Sequence, residues 1–191
     1  MSRKITVFFF IAFGFLATYS FAWRSFEVIL SRVEYKGNKD FVDLKMEIQN
    51  NTGDTALNAH INVLNSIDDI ILKFEVLMEA TEGNFTSVLK RNVHFCKFLK
   101  SHSIDPVLRI IYEDIIKYGN LMKTCPIKKG IFYLHDYRID EEMLPSYVPE
   151  ANFNIVIELY FPNEVKLATV KIHGFVDKSK GFNNLKMFSL G

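Results

Sequence analysis

The chain has 191 residues, 23 of them Lys or Arg and 22 Asp or Glu, and 14% of it is aromatic. A balance that even leaves no basic field to attract nucleic acid or an anionic membrane surface. The length suits one domain with one sizeable core.

Residues 1–22 have the form of a signal peptide. Arg3 and Lys4 make the positive start, Ile5 to Leu16 is uncharged, and Ser20 and Ala22 precede an expected cut before Trp23. The apolar run is shorter than the roughly 20 residues of a spanning helix, so a cleaved signal is expected rather than an anchor. Without it, 23 basic residues less Arg3 and Lys4 leave 21 against 22 acidic ones, and six of the 18 Phe are gone. The expected product is secreted and extracellular, a single domain over residues 23–177 with a flexible tail at 178–191.

Residues 26–36 mix apolar and polar positions and end in the turn signal Lys36-Gly37-Asn38-Lys39. Val42, Leu44, Met46 and Ile48 then alternate with Asp43, Lys45, Glu47 and Gln49, a period of two that predicts a strand with one dry face. Leu57, Ala59, Ile61 and Val63 repeat the pattern. So do Ile70, Leu72, Phe74, Val76 and Met78, with a turn at Glu82-Gly83-Asn84 and a short strand at 85–90 after it. Turns at this spacing imply an antiparallel meander.

The period changes at 92–118. Val93 to Lys100 can form a short helix. Asp105 is a candidate N-cap, with Pro106 at the first helical position. Leu108, Ile111, Tyr112, Ile115 and Tyr118 share an apolar face. Arg109, Glu113 and Lys117 are spaced by four on the opposite one, where Glu113 can support Lys117. Gly119 fits a C′ stop. Strands resume at Ile131–Ile139, and the Pro-containing stretch 143–149 reads as a crossing loop. Phe153, Ile155, Ile157, Leu159 and Phe161 make the cleanest dry face, and a last strand is expected at about 165–176. Some eight one-faced strands and one helical insertion are most simply covered as a two-sheet β-sandwich.

The two cysteines, Cys96 and Cys125, flank the insertion. In a secreted chain they are expected to pair with each other, the alternatives being two buried thiols or a bridge to another chain. Asn50-Asn51-Thr52 and Asn84-Phe85-Thr86 are glycosylation sequons, relevant only if the chain is exported.

Between Cys96 and Pro149 the residues C-x-F-L, D-P-V-L-R-I-I-Y, Y-G-N, C-P-I-K-K-G-x-F-Y and L-P-S-Y-V-P-E resemble a large insect-expanded secreted family without an assigned activity. That family includes chemosensory proteins of the CheB type and is similar to ML lipid-recognition domains. The resemblance extends over about residues 25–177. It implies an immunoglobulin-like, mainly β sandwich whose sheets splay to form a lipid pocket, and it implies the Cys96–Cys125 pairing. Typical ML domains carry more disulfides than this chain can make.

No reaction is legible. The five His show no metal spacing, and neither a G-x-S-x-G elbow nor a P-loop is present. Asp68-Asp69 and Glu141-Glu142 read as turn charges. The expectation is a non-enzyme that needs no cofactor or metal. Phe74, Val76, Met78, Phe153, Ile155, Ile157 and Phe161 either line a pocket or fill a closed core. Tyr112, Ile115 and Tyr133 join them as pocket candidates. Tyr112, Tyr118, Tyr133, Tyr137 and Tyr147 cluster around the insertion and either ring a pocket mouth or pack the helix onto the sheet. Lys128 and Lys129 are either a cationic rim for a lipid head or a solvated turn. The expected function is binding of a hydrophobic small molecule (lipid, fatty acid, hydrocarbon or pheromone), in chemosensation by resemblance. The alternative is an extracellular protein-interaction module without a cavity, and a receptor is a candidate partner in either case.

Overall fold

A computed structural model describes residues 26–51, 54–101 and 105–179. The expected signal, most of the expected tail and Thr52 of the first sequon lie outside these residues. Eight strands form: β1 (Glu27–Gly37), β2 (Val42–Asn51), β3 (Asp54–Val63), β4 (Ile71–Thr81), β5 (Asn84–His94), β6 (Gly130–Tyr137), β7 (Asn152–Tyr160) and β8 (Lys166–Asp177). Helices α1 (Phe95–Lys100) and α2 (Pro106–Ile115) stand between β5 and β6. The architecture is an immunoglobulin-like two-sheet sandwich. One sheet has the order β1-β8-β7-β4-β5 and the other β2-β3-β6, every pair antiparallel.

Alternation explains the strands. In β2, Asp43, Lys45, Glu47 and Gln49 are exposed, while Val42 is buried and Leu44, Met46 and Ile48 are half-buried beneath the facing sheet. The apolar faces collect into two clusters. One contains Val63, Ile67, Ile70, Phe98, Ile127 and Leu167, and the other Leu30, Leu57, Phe153, Ile172 and Val176. β1 and β2 follow one another and touch along one side of the sandwich. The opposite side, between β5 and β6, is the one the helical insertion crosses.

The insertion begins later than the expected 92, because β5 runs to His94, which still pairs with Ile71 of β4. Asp105 caps α2, its Oδ1 accepting from Leu108 N at 3.0 Å behind Pro106 at the first position. A 3₁₀ turn, Ile116–Tyr118, follows α2. Gly119 is not the left-handed stop expected of it, since its φ is −176°. It is needed for close approach: it bridges to Leu134, and a Cβ there would run into the Tyr133 carbonyl. The disulfide joins Cys96 at the start of α1 to Cys125 in the segment before β6. It ties both ends of the insertion together.

Arg109 departs furthest from expectation. Spacing by four put it on the wet face, yet it is buried. Its Nη2 donates to the carbonyls of Phe98 and of Ser101, the latter at 2.9 Å, and its guanidinium lies 4.2 Å over the Phe98 ring. Those carbonyls sit at the C-terminal end of α1, where a cation is favoured. Arg109 therefore fastens α2 to α1. Asp114 is likewise buried, and Lys117, three residues on, bonds it at 3.1 Å.

Candidate functional site

The inner faces do not close on each other. Between them lies a cavity of about 1000 Å³, at the upper end of the roughly 300–1,000 Å³ usual for small-molecule sites. Both sheets and α2 build its wall. β4 supplies Phe74, Val76 and Met78, and β7 supplies Phe153, Ile155, Ile157 and Leu159. From the facing sheet come Val42, Leu44 and Met46 of β2 and Leu57, Ala59, Ile61 and Val63 of β3. α2 adds Val107, Ile110, Ile111 and Ile115.

The opening is marked by lining residues that are also exposed. These are Ala80 and Thr86, Val88, Val107 and Ile110, and Pro145, Tyr147 and Pro149. They belong to the β4–β5 hairpin, to α2 and to the β6–β7 loop, so the mouth lies on the side crossed by the insertion. Val88 is 58% exposed, Ile110 57% and Tyr147 83%. Large apolar side chains this open make a greasy collar around the entrance.

Three irregularities shape the wall. β4 and β5 slip register between Val76 and Leu77, leaving Val88 as the extra residue of β5. A bulge turns neighbours toward one side, and Val88 and Leu89 both line the cavity. A second slip, between Glu79 and Thr81, brings Glu79 and Ala80 to the mouth together. In the facing sheet, β3 and β6 slip between Leu57 and Ala59, with Asp136 at φ 56°. Leu134 and Tyr137, three apart, thereby both face inward.

Few lining side chains are polar: Glu79, Thr86, Tyr137 and Tyr147. Glu79 accepts from Gly83 N at 2.6 Å and from Asn152 Nδ2. The Asn152 bond, with that of Gly83, holds its carboxyl below the ordinary carboxylate range, so it is ionised at neutral pH. Tyr137 is buried, edge-on to Tyr118 at 5.3 Å between centroids. Burial, helped by the nearby Asp114 carboxylate, raises its phenol well above the usual range. It stays a neutral hydroxyl.

Of the residues singled out from sequence, Phe74, Val76, Met78, Ile115, Phe153, Ile155 and Ile157 line the cavity, and so do Tyr137 and Tyr147 of the tyrosine cluster. Tyr112, Tyr133 and Phe161 are not among its lining. Tyr112 turns its ring onto Phe95 and Phe98, and its hydroxyl donates to Met122 O at 2.6 Å, so it packs the insertion. Tyr133 is exposed, its N–H donating to Asn120 Oδ1. Phe161 lies beyond β7, at the end remote from the mouth, and packs edge-on against Phe41 at 4.7 Å. Lys128 and Lys129 are exposed before β6 and do not line the cavity, so they form no rim to it. Asn50 and Asn84 are exposed at strand ends, Asn84 in the β4–β5 hairpin beside the mouth. Sequence reasoning missed Glu79, Val88, Val107 and Ile110. Strict alternation conceals the first two, because each sits at a register slip.

Among the described residues no group of three His, Cys, Asp or Glu could hold a metal ion, and no helix is long and apolar enough to cross a membrane. Residues 72–155 match a family described as a protein of unknown function (DUF1091). No curated protein matches the chain. Among solved structures, that of chicken MD-1 complexed with lipid IVa is similar over 78% of this chain and 96% of its own, at 12% sequence identity and a TM-score of 0.40.

Proposed function

We propose that the protein binds a hydrophobic small molecule in the space between its sheets. One observation carries this reading: a cavity of about 1000 Å³, walled almost wholly by aliphatic and aromatic side chains and open at one side. A closed core packs to the density of an organic crystal and leaves few voids larger than a water. At about 30 Å³ per water-sized group, this one admits on the order of thirty such groups.

The energetics favour a long chain. Sixteen buried methylenes, at about 0.8 kcal/mol each, release about 13 kcal/mol. Lost translational and rotational freedom costs at least about 4 kcal/mol. The remainder, at most about 9 kcal/mol, corresponds to a Kd of about 0.3 μM at best. The ML-like, CheB-type and chemosensory resemblance and the expected export belong to the same proposal, which makes the protein an extracellular carrier. Asn50 and Asn84 would then be glycosylated.

The test is organic extraction and mass spectrometry of the purified protein, with displacement of Nile red by long-chain lipids. The expected result is retained or exchangeable lipid. A folded protein that holds no lipid and gives no displacement overturns the proposal. The second reading, a protein-interaction module without a cavity, is overturned in that form by the space between the sheets; what remains of it draws on the exposed collar of Val88, Ile110 and Tyr147. It predicts that Ile110→Ser with Tyr147→Ser abolishes capture of a receptor from extracellular fluid, and it fails if no partner is captured.

A further inference from the structure

We infer that the cavity selects uncharged long-chain molecules (alcohols, esters, hydrocarbons) and rejects lipids with an ionised acidic head. The inference rests on the binding proposed above and specifies its ligand class.

The head group has two places to occupy, inside the cavity or at its mouth. Drawn inside, an anion meets aliphatic walls. No Lys, Arg or His is among the described residues that line the cavity. Arg109, although on α2, spends its guanidinium on the carbonyls of Phe98 and Ser101 and on the Phe98 ring. A buried charge without a partner is strongly disfavoured. The buried polar group of the wall is the neutral Tyr137 hydroxyl, and the charges that act on it are the Asp114 and Asp140 carboxylates, of the wrong sign for an anion, with Lys117 committed to Asp114.

Left at the mouth, the same anion meets Glu79. That carboxylate is fixed in place by Gly83 N and Asn152 Nδ2 and is the one ionised group among the described lining residues. Lys128 and Lys129, which could have offset it, do not line the cavity. A hydroxyl or ester meets neither obstacle: either can accept from Tyr137, and a hydroxyl can also donate to Tyr137 or to Glu79. The aliphatic chain is equally welcome in every case, so selection falls on the head alone.

The experiment compares hexadecanol with hexadecanoate at pH 8, each below its aggregation limit, by displacement of Nile red from the intact protein. Hexadecanol is expected to bind at least tenfold more tightly. Glu79→Gln should reduce the ratio of the two Kd values at least threefold, and raised salt should reduce it in the wild type by screening Glu79. Both are ratios within one protein sample, so a change in folding does not mimic them. Equal affinities, or tighter hexadecanoate, overturn the selectivity while leaving the cavity a binding site. Failure of both ligands to displace the dye overturns the cavity reading and the selectivity with it.

Discussion

Replacing Cys96 and Cys125 together by Ser opens the loop that closes the helical insertion. The two residues are 29 apart in sequence. On the loop-entropy relation, a loop of that size removes about 12 cal/mol/K from the unfolded chain, or about 3.6 kcal/mol at 25 °C. For a domain of this size, each kcal/mol moves the melting temperature by about 2–4 °C. The double variant should therefore melt about 7–14 °C lower. Urea denaturation of wild type and variant under non-reducing conditions measures the effect directly. The midpoint should fall, and the slope m should rise because the uncrosslinked chain exposes more surface on unfolding. A difference below about 1 kcal/mol, with m unchanged, would refute the claim that this bond fastens the insertion.

Arg109→Met should destabilise by about 3–4 kcal/mol in the same assay, since it strips charge-assisted bonds from the Phe98 and Ser101 carbonyls. Arg109→Lys should recover only part of this, because an ammonium cannot reproduce the planar fork. Gly174→Ala should cost about 2–3 kcal/mol, because its Cβ would strike the Phe153 ring and come within 2.7 Å of the Ile29 carbonyl. Ile155→Trp, aimed into the cavity, should weaken lipid binding at least tenfold, yet cost under about 1 kcal/mol of stability because room exists for the ring. In a tightly packed core the same insertion would cost about 1–3 kcal/mol. Glu158 is held below its ordinary value of 4.5, chiefly by the Lys166 ammonium at 2.6 Å. Its stabilising contribution is present above about that pH and lost as pH falls through the lower folded value, so Glu158→Gln should flatten the acid limb of a pH–stability curve.

The sheets were legible in the sequence because alternation is a local signal. Each of β2, β3, β4 and β7 declares its dry face by apolar residues two apart. β5 was read too short because it is an edge strand, and its polar residues Lys90, Arg91 and Asn92 do not alternate cleanly. The capping of α2 was legible for a similar reason, since Asp105 and Pro106 act on their immediate neighbours. What could not be read depends on three dimensions. The tyrosines cluster in sequence around the insertion, but Tyr112 and Tyr133 point to different environments. Arg109 looked solvated because charge spaced by four usually is, and only the tertiary placement of α1 supplies the carbonyls that bury it. Glu79 was hidden by a single-residue slip. The space between the sheets has no linear signature, because the same aliphatic residues would serve a filled core.

The extra residue at Val88 has a consequence outside the cavity. A sandwich whose sheets part around a cavity keeps free strand borders, and an unguarded border recruits another chain to itself. β5 is such a border, eleven residues long. The kink at Val88 and the cations at Lys90 and Arg91 make it a poor template for stacking. The irregularity that helps form the doorway thus also protects the protein from polymerising, and straightening it would put solubility at risk.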